Sequence, residues 1–264
     1  MRSPIITLTT DFGLKEPYVA EMKAVILSIS PNVNIIDVTH GIDKFNTRMG
    51  AFLLASAAPY FPKGTIHVAV VDPGVGTERH PLIIQTKQNL FVGPDNGVLT
   101  LAAENQGIEH IYEIRERKTM LREISNTFHG RDVFAPAAAH LANGKPPTEF
   151  GPEIHEVSTL KTVKPIKRKG VLVGEVIHID DFGNVITNLG QKELEQMSTR
   201  DRIKIRLAGT KLDLKLCKAY DEVKTQEPLA TIGSHKFVEI AINQGNAANT
   251  LKIKVGDEAT LYRS

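Results

Sequence analysis

Cysteine is nearly missing from this sequence: Cys217 is the only one. An intrachain disulfide and a multi-cysteine zinc site are thereby excluded, and the composition suits a reducing compartment. Charge of one sign is not in excess either. Lys and Arg number 32 against 30 Asp and Glu, so the chain shows no electrostatic footprint for nucleic acid. The basic cluster at residues 161–169 contains no aromatic residue and reads as a solvated linker. Long hydrophobic runs are lacking: the longest, residues 51–61, is far short of a membrane span and contains Pro59. The segment before the first strand-like run has no signal-peptide pattern. The expectation is a cytoplasmic protein with no membrane and no nucleic-acid partner.

Familiar chemical signatures are missing too. There is no G-x-x-x-x-G-K-[ST] phosphate loop, no G-x-G-x-x-G after the first strand, no H-E-x-x-H and no G-x-S-x-G. The nine histidines are scattered and not paired at ligand spacings, which argues against a metal enzyme.

What is present is an ordinary globular composition of 264 residues, 41% apolar and 23% charged, enough for one large domain or two of usual size. Up to about residue 144 the hydrophobic period alternates. Strand-like runs at 5–10, 34–38 and 66–71 are separated by helical patterns at 17–29 and 49–59. Shorter strands follow at 82–84, 90–92 and 110–114, with helices near 98–104 and 133–141. This alternation predicts an α/β domain over residues 1–160, with a mainly parallel sheet covered by helices. Residues 145–169 carry several prolines and little periodicity, which marks a boundary. Beyond it, strand-like runs at 171–179, 185–189, 203–207, 212–216, 237–242 and 251–255 dominate, with one helical stretch at 192–197. They predict a smaller all-β, barrel-like domain over 161–264.

Ligands of an open parallel sheet bind outside the carboxyl ends of its strands. Asp11 follows the first strand, and Asp72 follows the third in a loop containing Pro73, Gly74 and Gly76. Taken singly, each aspartate is equally at home as an Asx turn or a helix cap; two such loops on one sheet edge make a site. His129 precedes a helix, whose dipole favours the neutral imidazole. Asp132 beside it reads equally as a helix cap. In the second domain, the 179–188 and 243–248 segments are rich in Asn and small residues, and each reads locally as either a plain turn or a ligand loop.

Six segments occur in a telling order: Thr9-Thr10-Asp11-Phe12-Gly13; Val71-Asp72-Pro73-Gly74-Val75-Gly76-Thr77-Glu78-Arg79; Gly93-Pro94-Asp95-Asn96-Gly97; Thr127-Phe128-His129-Gly130-Arg131-Asp132; Ile179-Asp180-Asp181-Phe182-Gly183-Asn184; and Ile240-Ala241-Ile242-Asn243-Gln244-Gly245-Asn246-Ala247-Ala248. Together they make the chain resemble the S-adenosylmethionine hydroxide adenosyltransferases, relatives of the fluorinase and chlorinase. The resemblance implies that water displaces methionine at C5′ of S-adenosylmethionine, giving adenosine and L-methionine, with no cofactor and no metal. It also implies a homotrimer with active sites at subunit interfaces. The Asp-Arg-His set of the hydrolytic branch falls on Asp72, Arg79 and His129. Asp11 falls where ribose hydroxyls are held, and Asp180 with Ser234 where methionine is held. Phe182, Asn184 and Tyr220 would flank adenine with Ala247 alongside, and Glu239 and Asn243 would lie near the same pocket. Phe45 matches another aromatic residue of the halogenating relative. This chain departs from that relative in two contacts: His235 stands for an arginine near the methionine carboxylate, and Glu16 for an aspartate near the methionine end.

The branch has a local argument. A carboxylate repels a halide by about 4 kcal/mol at about 4 Å and an effective dielectric of about 20. Asp72 replaces a tyrosine of the halogenating relative, and Val75 and Gly130 replace hydroxyl residues. Residues 81–90 leave no room for that relative's long insert. Hydroxide is therefore expected over halide. A nucleoside or S-adenosylmethionine sensor on the same scaffold is the other reading; pure binding does not require Asp72, Arg79 and His129.

Overall fold

The computed structural model describes residues 3–160, 164–168, 170–197 and 201–263. The chain divides into two compact units, residues 1–160 and 161–264.

The first unit runs β1 (Ile5–Thr10), α1 (Tyr18–Ile29), β2 (Asn34–Thr39), α2 (Thr47–Ala57), β3 (Ile66–Val70), β4 (Pro81–Thr86), β5 (Leu90–Pro94), α3 (Thr100–Gln106), β6 (Ile108–Glu113) and α4 (Ala135–Ala142). Its sheet has the order β2-β1-β3-β5-β4-β6. Only β4 runs against the rest, so the sheet is mixed but mainly parallel, as the alternating periodicity predicts. Side chains of α1 and α4 pack with Ile6, Leu8, Val68 and Val70 on one face. Those of α2 and α3 pack with Ala69, Val71, Leu82 and Phe91 on the other. Every residue of β3 is buried, as expected of a central strand covered on both faces.

The second unit runs β7 (Ile166–Arg168), β8 (Val171–Ile179), β9 (Val185–Gly190), α5 (Gln191–Gln196), β10 (Arg202–Leu207), β11 (Thr210–Cys217), β12 (Pro228–Ile232), β13 (Phe237–Ile242), α6 (Ala247–Leu251) and β14 (Glu258–Tyr262). The order β14-β10-β11-β12-β13-β9-β8 closes on itself through β14 and β8, giving a seven-stranded barrel with β7 appended. Two expectations fail here. Part of the basic linker is a strand, the exposed Ile166–Arg168; residues 161–163 and 169 lie outside the described residues. The alternation at 251–255 is not a strand. Asn246 caps α6 by accepting the Asn249 N–H at 2.7 Å, and Lys252 ends it in the left-handed region with φ 55°. Ile253 is then buried from a loop, and the last strand begins at Glu258.

One buried polar side chain sits in the middle of β3. His67 is fully buried, with Nδ1 2.8 Å from Thr7 Oγ1 and its ring stacked on Phe91 at 5.0 Å. Its Nε2 has no partner among the described residues. Burial pushes its pKa down from 6.5 to about 4. The unfolded chain therefore binds more protons between those values, so stability is complete above about 6.5 and falls as pH drops towards 4. The loss reaches about 3 kcal/mol, at about 1.4 kcal/mol for each tenfold change in proton affinity. His67→Phe keeps the stacking and removes the titration. Urea unfolding at neutral and mildly acidic pH should show a shallower acid loss in the variant; identical slopes would refute the assignment.

Candidate active site

Three loops meet above the carboxyl ends of β1 and β3. Thr10 and Val70 are register partners, so the residues that follow them leave the sheet at one level. Asp11, which is buried, accepts the Phe45 N–H on Oδ2 at 2.8 Å. Phe45 reaches that position with φ 65°, a conformation costly for an aromatic residue. Lys44 closes the same corner by donating from Nζ to the Asp11 carbonyl.

The second loop is a pair of tight turns, with Val75 N–H donating to Asp72 O at 3.3 Å and Thr77 N–H to Gly74 O at 3.1 Å. Gly76 is needed here: its φ is 76°, and a Cβ would collide with the Asn126 carbonyl. The turns fold Arg79 back on Asp72. Arg79 Nε lies 2.9 Å from Asp72 Oδ2 and Nη2 lies 2.5 Å from it. Both side chains are almost buried, at 9% and 5% exposure, and the guanidinium lies 5.2 Å from the centre of the Phe134 ring.

Arg79 Nη2 also reaches His129 Nδ1 at 2.8 Å. A guanidinium has no acceptor atom, so Nδ1 must accept and the ring proton must lie on Nε2. Burial, and then the Arg79 charge, hold the His129 pKa below its usual value; Asp72 and Asp132 oppose this. His129 opens a π-turn, residues Gly130–Phe134, that leads into α4, a local geometry frequent at functional sites. The result is a fixed chain from Asp72 through Arg79 to a neutral His129.

Asp11, Phe45, Asp72 and His129 line one cleft of about 210 Å³, with Phe12, Tyr18, Lys44, Val75, Thr127, Phe128 and Gly130. Arg79 stands behind it. Glu16 is exposed and does not line it. Besides Val70 of β3, Lys44 and Tyr18 are the lining residues that the sequence motifs and the resemblance do not include. The position of Lys44 next to Phe45 was the available signal for the first; nothing local marked the second.

The other candidates lie in the second unit. Asp180 accepts the N–H groups of Phe182 at 3.0 Å and Asn184 at 2.8 Å on Oδ1, and Asn184 Nδ2 at 2.9 Å on Oδ2. The carboxylate thus folds its own turn, and Gly183 O receives the Ala248 N–H, at 2.9 Å. Ala247 beside it is buried, whereas Phe182 is 78% exposed. Tyr220 donates its hydroxyl to the buried Glu239 at 2.7 Å. Burial pushes the Glu239 pKa up, and Asp180 adds to this, against the Tyr220 hydrogen bond and His235. Asn243 is turned away into the fold: its Nδ2 donates to Val223 O at 2.8 Å. Ser234 lies in the exposed turn between β12 and β13. Among the described residues no three His, Cys, Asp or Glu side chains gather as a metal site, and no helix is long and apolar enough to cross a membrane.

Comparison with known proteins bears on what these loops do. Residues 6–151 match the model of the SAM hydroxide adenosyltransferase N-terminal domain, and residues 174–260 that of its C-terminal domain. A protein of Methanocaldococcus jannaschii named (R)-S-adenosyl-L-methionine hydrolase is 41% identical, over 96% of this chain and 94% of that one. A protein of the same name from Salinispora tropica is 36% identical over 97% and 96%. Relatives named fluorinase are more distant, at 28% identity or less. The crystal structure of an uncharacterized conserved protein from Thermotoga maritima superposes with a TM-score of 0.93 at 41% identity, covering 98% of this chain and all of that one. The chain belongs to the SAM hydroxide adenosyltransferase family.

Proposed function

We propose that this protein hydrolyses S-adenosyl-L-methionine at C5′, giving adenosine and L-methionine. The observation that carries the reading is the hydrogen-bonded chain Asp72–Arg79–His129 at one wall of a cleft whose other wall holds Asp11. The water oxygen bonds to C5′ as the C5′–S bond breaks, and the bonding pair leaves on sulfur as a neutral thioether. The leaving group needs no acid, so the difficulty is to hold a poor nucleophile in line with the C–S bond. Positioning of this kind supplies about 7–11 kcal/mol in the best cases. The Nε2–H of His129 donates to the water oxygen and turns a water proton towards Asp72, which accepts it. Arg79 fixes both partners and limits the charge on Asp72.

Asp72 is not a bare carboxylate, and its repulsion of an anion is reduced by Arg79. The greater identity to relatives named hydrolases supports hydroxide. So does Gly130, where a Cβ would lie 3.3 Å from Met22 Sδ and 3.3 Å from the Phe128 ring; a hydroxyl side chain has little room there.

Asp11 takes the ribose diol, with Phe45 beside it. In the second unit Phe182, Asn184, Tyr220 and Ala247 take the adenine, Glu239 and Asn243 support that pocket, and Asp180 and Ser234 take the methionine part, with Glu16 of the first unit. These contacts fall in two separate clusters, and we place them together in a homotrimer whose sites are shared by neighbouring chains. Light scattering should give a trimer; a monomer with full activity at high dilution would refute it. No separate cofactor is called for, and the single cysteine suits the cytoplasm.

Purified protein incubated with S-adenosylmethionine should release adenosine and methionine, chelator should make no difference, and oxygen-18 water should label the adenosine 5′-hydroxyl. Label in methionine, or no turnover, would sink the reading. Asp72→Asn should lower kcat by about 10² or more with little change in adenosine affinity. Asp11→Asn should chiefly weaken adenosine binding, by about 1.5–3 kcal/mol for a charge-assisted hydrogen bond. Calorimetry and single-turnover rates separate the two; normal turnover in the first variant, or parental adenosine affinity in the second, means the roles are misassigned.

A further inference from the structure

The turn that carries His129 is held from behind by a charged network that the chemistry above does not use. Arg131 donates from Nε to Asp132 Oδ1 at 2.7 Å and from Nη1 to Glu21 Oε2, on α1, at 2.7 Å. Its guanidinium carbon lies 4.9 Å from the centre of the Phe128 ring. Phe128 in turn meets Phe12 and Tyr18 edge to face, at 5.7 and 5.2 Å between centroids. Asp132 is fully buried. It is not the helix cap that its position suggests: Oδ2 reaches back to accept the Ser125 N–H at 2.7 Å, and its carbonyl accepts the Leu121 N–H at 2.9 Å. The Phe128 carbonyl accepts from both Arg131 and Asp132, at 3.2 and 3.1 Å.

One guanidinium therefore ties α1, the aromatic wall and the buried end of the turn together. Only a planar fork can serve two carboxylates and a ring face at once. The matter held in place is a single hydrogen bond. His129 Nδ1 accepts from Arg79 at 2.8 Å, and a shift of the turn by about 1 Å would take it beyond hydrogen-bonding range. We propose that Arg131 is a positioning residue for the reaction: clamped between Glu21 and Asp132, it fixes the 125–130 turn so that His129 stays bonded to Arg79 and Phe128 keeps its place in the cleft wall. The inference rests on the hydrolytic reading of the site.

The test compares the full-length parent with Glu21→Ala, Arg131→Met and Arg131→Lys, by hydrolysis rates over a range of pH, adenosine calorimetry and thermal unfolding. Glu21→Ala and Arg131→Met should lose about tenfold or more in kcat, with adenosine affinity changed less than about threefold. Arg131→Lys should stay near Arg131→Met, since an ammonium cannot fork. The acid limb of the rate profile reads position directly. Arg79, Asp72 and Asp132 act on His129, Lys44 and Asp11 share its cleft, and Arg131 lies beside it in sequence. In the parent the limb lies below about pH 6.5, and freeing the ring from burial and from Arg79 should move it upwards. Loss of the Glu21 anion alone would move it downwards, so an upward shift in Glu21→Ala reports displacement and not charge. Parental rates and an unmoved limb in Glu21→Ala and Arg131→Met would overturn the proposal. So would rates that fall only as the folded fraction falls. If the parent itself does not hydrolyse S-adenosylmethionine, the functional reading fails. The clamp is then read from the His129 ring titration by NMR, and an unmoved titration in Glu21→Ala refutes it as well.

Discussion

The chain leaves β1 on one side and returns on the other, and the rest of the site depends on that reversal. From β1 it passes through α1 to β2, then crosses through α2 to lay β3 on the opposite flank of β1. Helices diverge from the two neighbouring strands, and a crevice opens above their carboxyl ends. Because Thr10 and Val70 are in register, two buried parallel strands deliver Asp11 and Asp72 to one crevice without any long loop. The third loop leads into α4, and its His129 meets Arg79 because the glycine-bearing turns after Asp72 fold Arg79 back.

Burying a carboxylate and a guanidinium together seldom adds stability, since desolvation offsets most of the attraction. Asp72 and Arg79 are nonetheless almost wholly buried. What the pair supplies is definition. It orients one guanidinium so that His129 can hold only one tautomer. Both His67 and His129 are kept neutral by burial. His67 bonds Thr7, stacks on Phe91 and is fully buried. His129 has a cation on Nδ1 and a cleft wall on its other side. Burial alone makes a structural histidine; burial with a directed charge partner and an open face makes one suited to handling water.

Much of the first unit was legible in the sequence because its signals are local. β3 is a continuous apolar run, and the glycines and prolines after it mark a strand end. Asp11, Asp72 and His129 stand out as candidates by the rule that ligands bind at strand ends and helix starts. Arg79 needed the family resemblance, because no local pattern says that residue 79 turns back to residue 72. The clamp on Arg131 was invisible, since Glu21 lies 110 positions away and Asp132 imitates an ordinary cap. The second unit was read less well for the same reason. Leu251, Ile253 and Val255 alternate like a strand, yet a capped helix and a left-handed lysine place two of them. The true strands β12 and β14 are short, and β12 opens on Pro228, which is tolerated at a first strand position but hides the strand.

Asp11 and Asp180 show how one sequence signal divides into two physical roles. Each follows a strand and each opens a loop. Asp11 is steadied on one oxygen by the Phe45 N–H and stands on the cleft wall. Asp180 already receives three N–H donors from its own turn, so its charge is largely used in shaping the backbone. Near it the second unit also exposes aromatic surface: Phe182 at 78% exposure and Tyr220 at 46%. An exposed ring ordinarily loses rotamer freedom when a flat ligand stacks on it, which costs about 0.5–1.5 kcal/mol. The Tyr220 hydroxyl is already anchored to buried Glu239, so part of that freedom is gone before any ligand arrives. For the proposed adenine contact, Glu239 thus works through the ring it restrains.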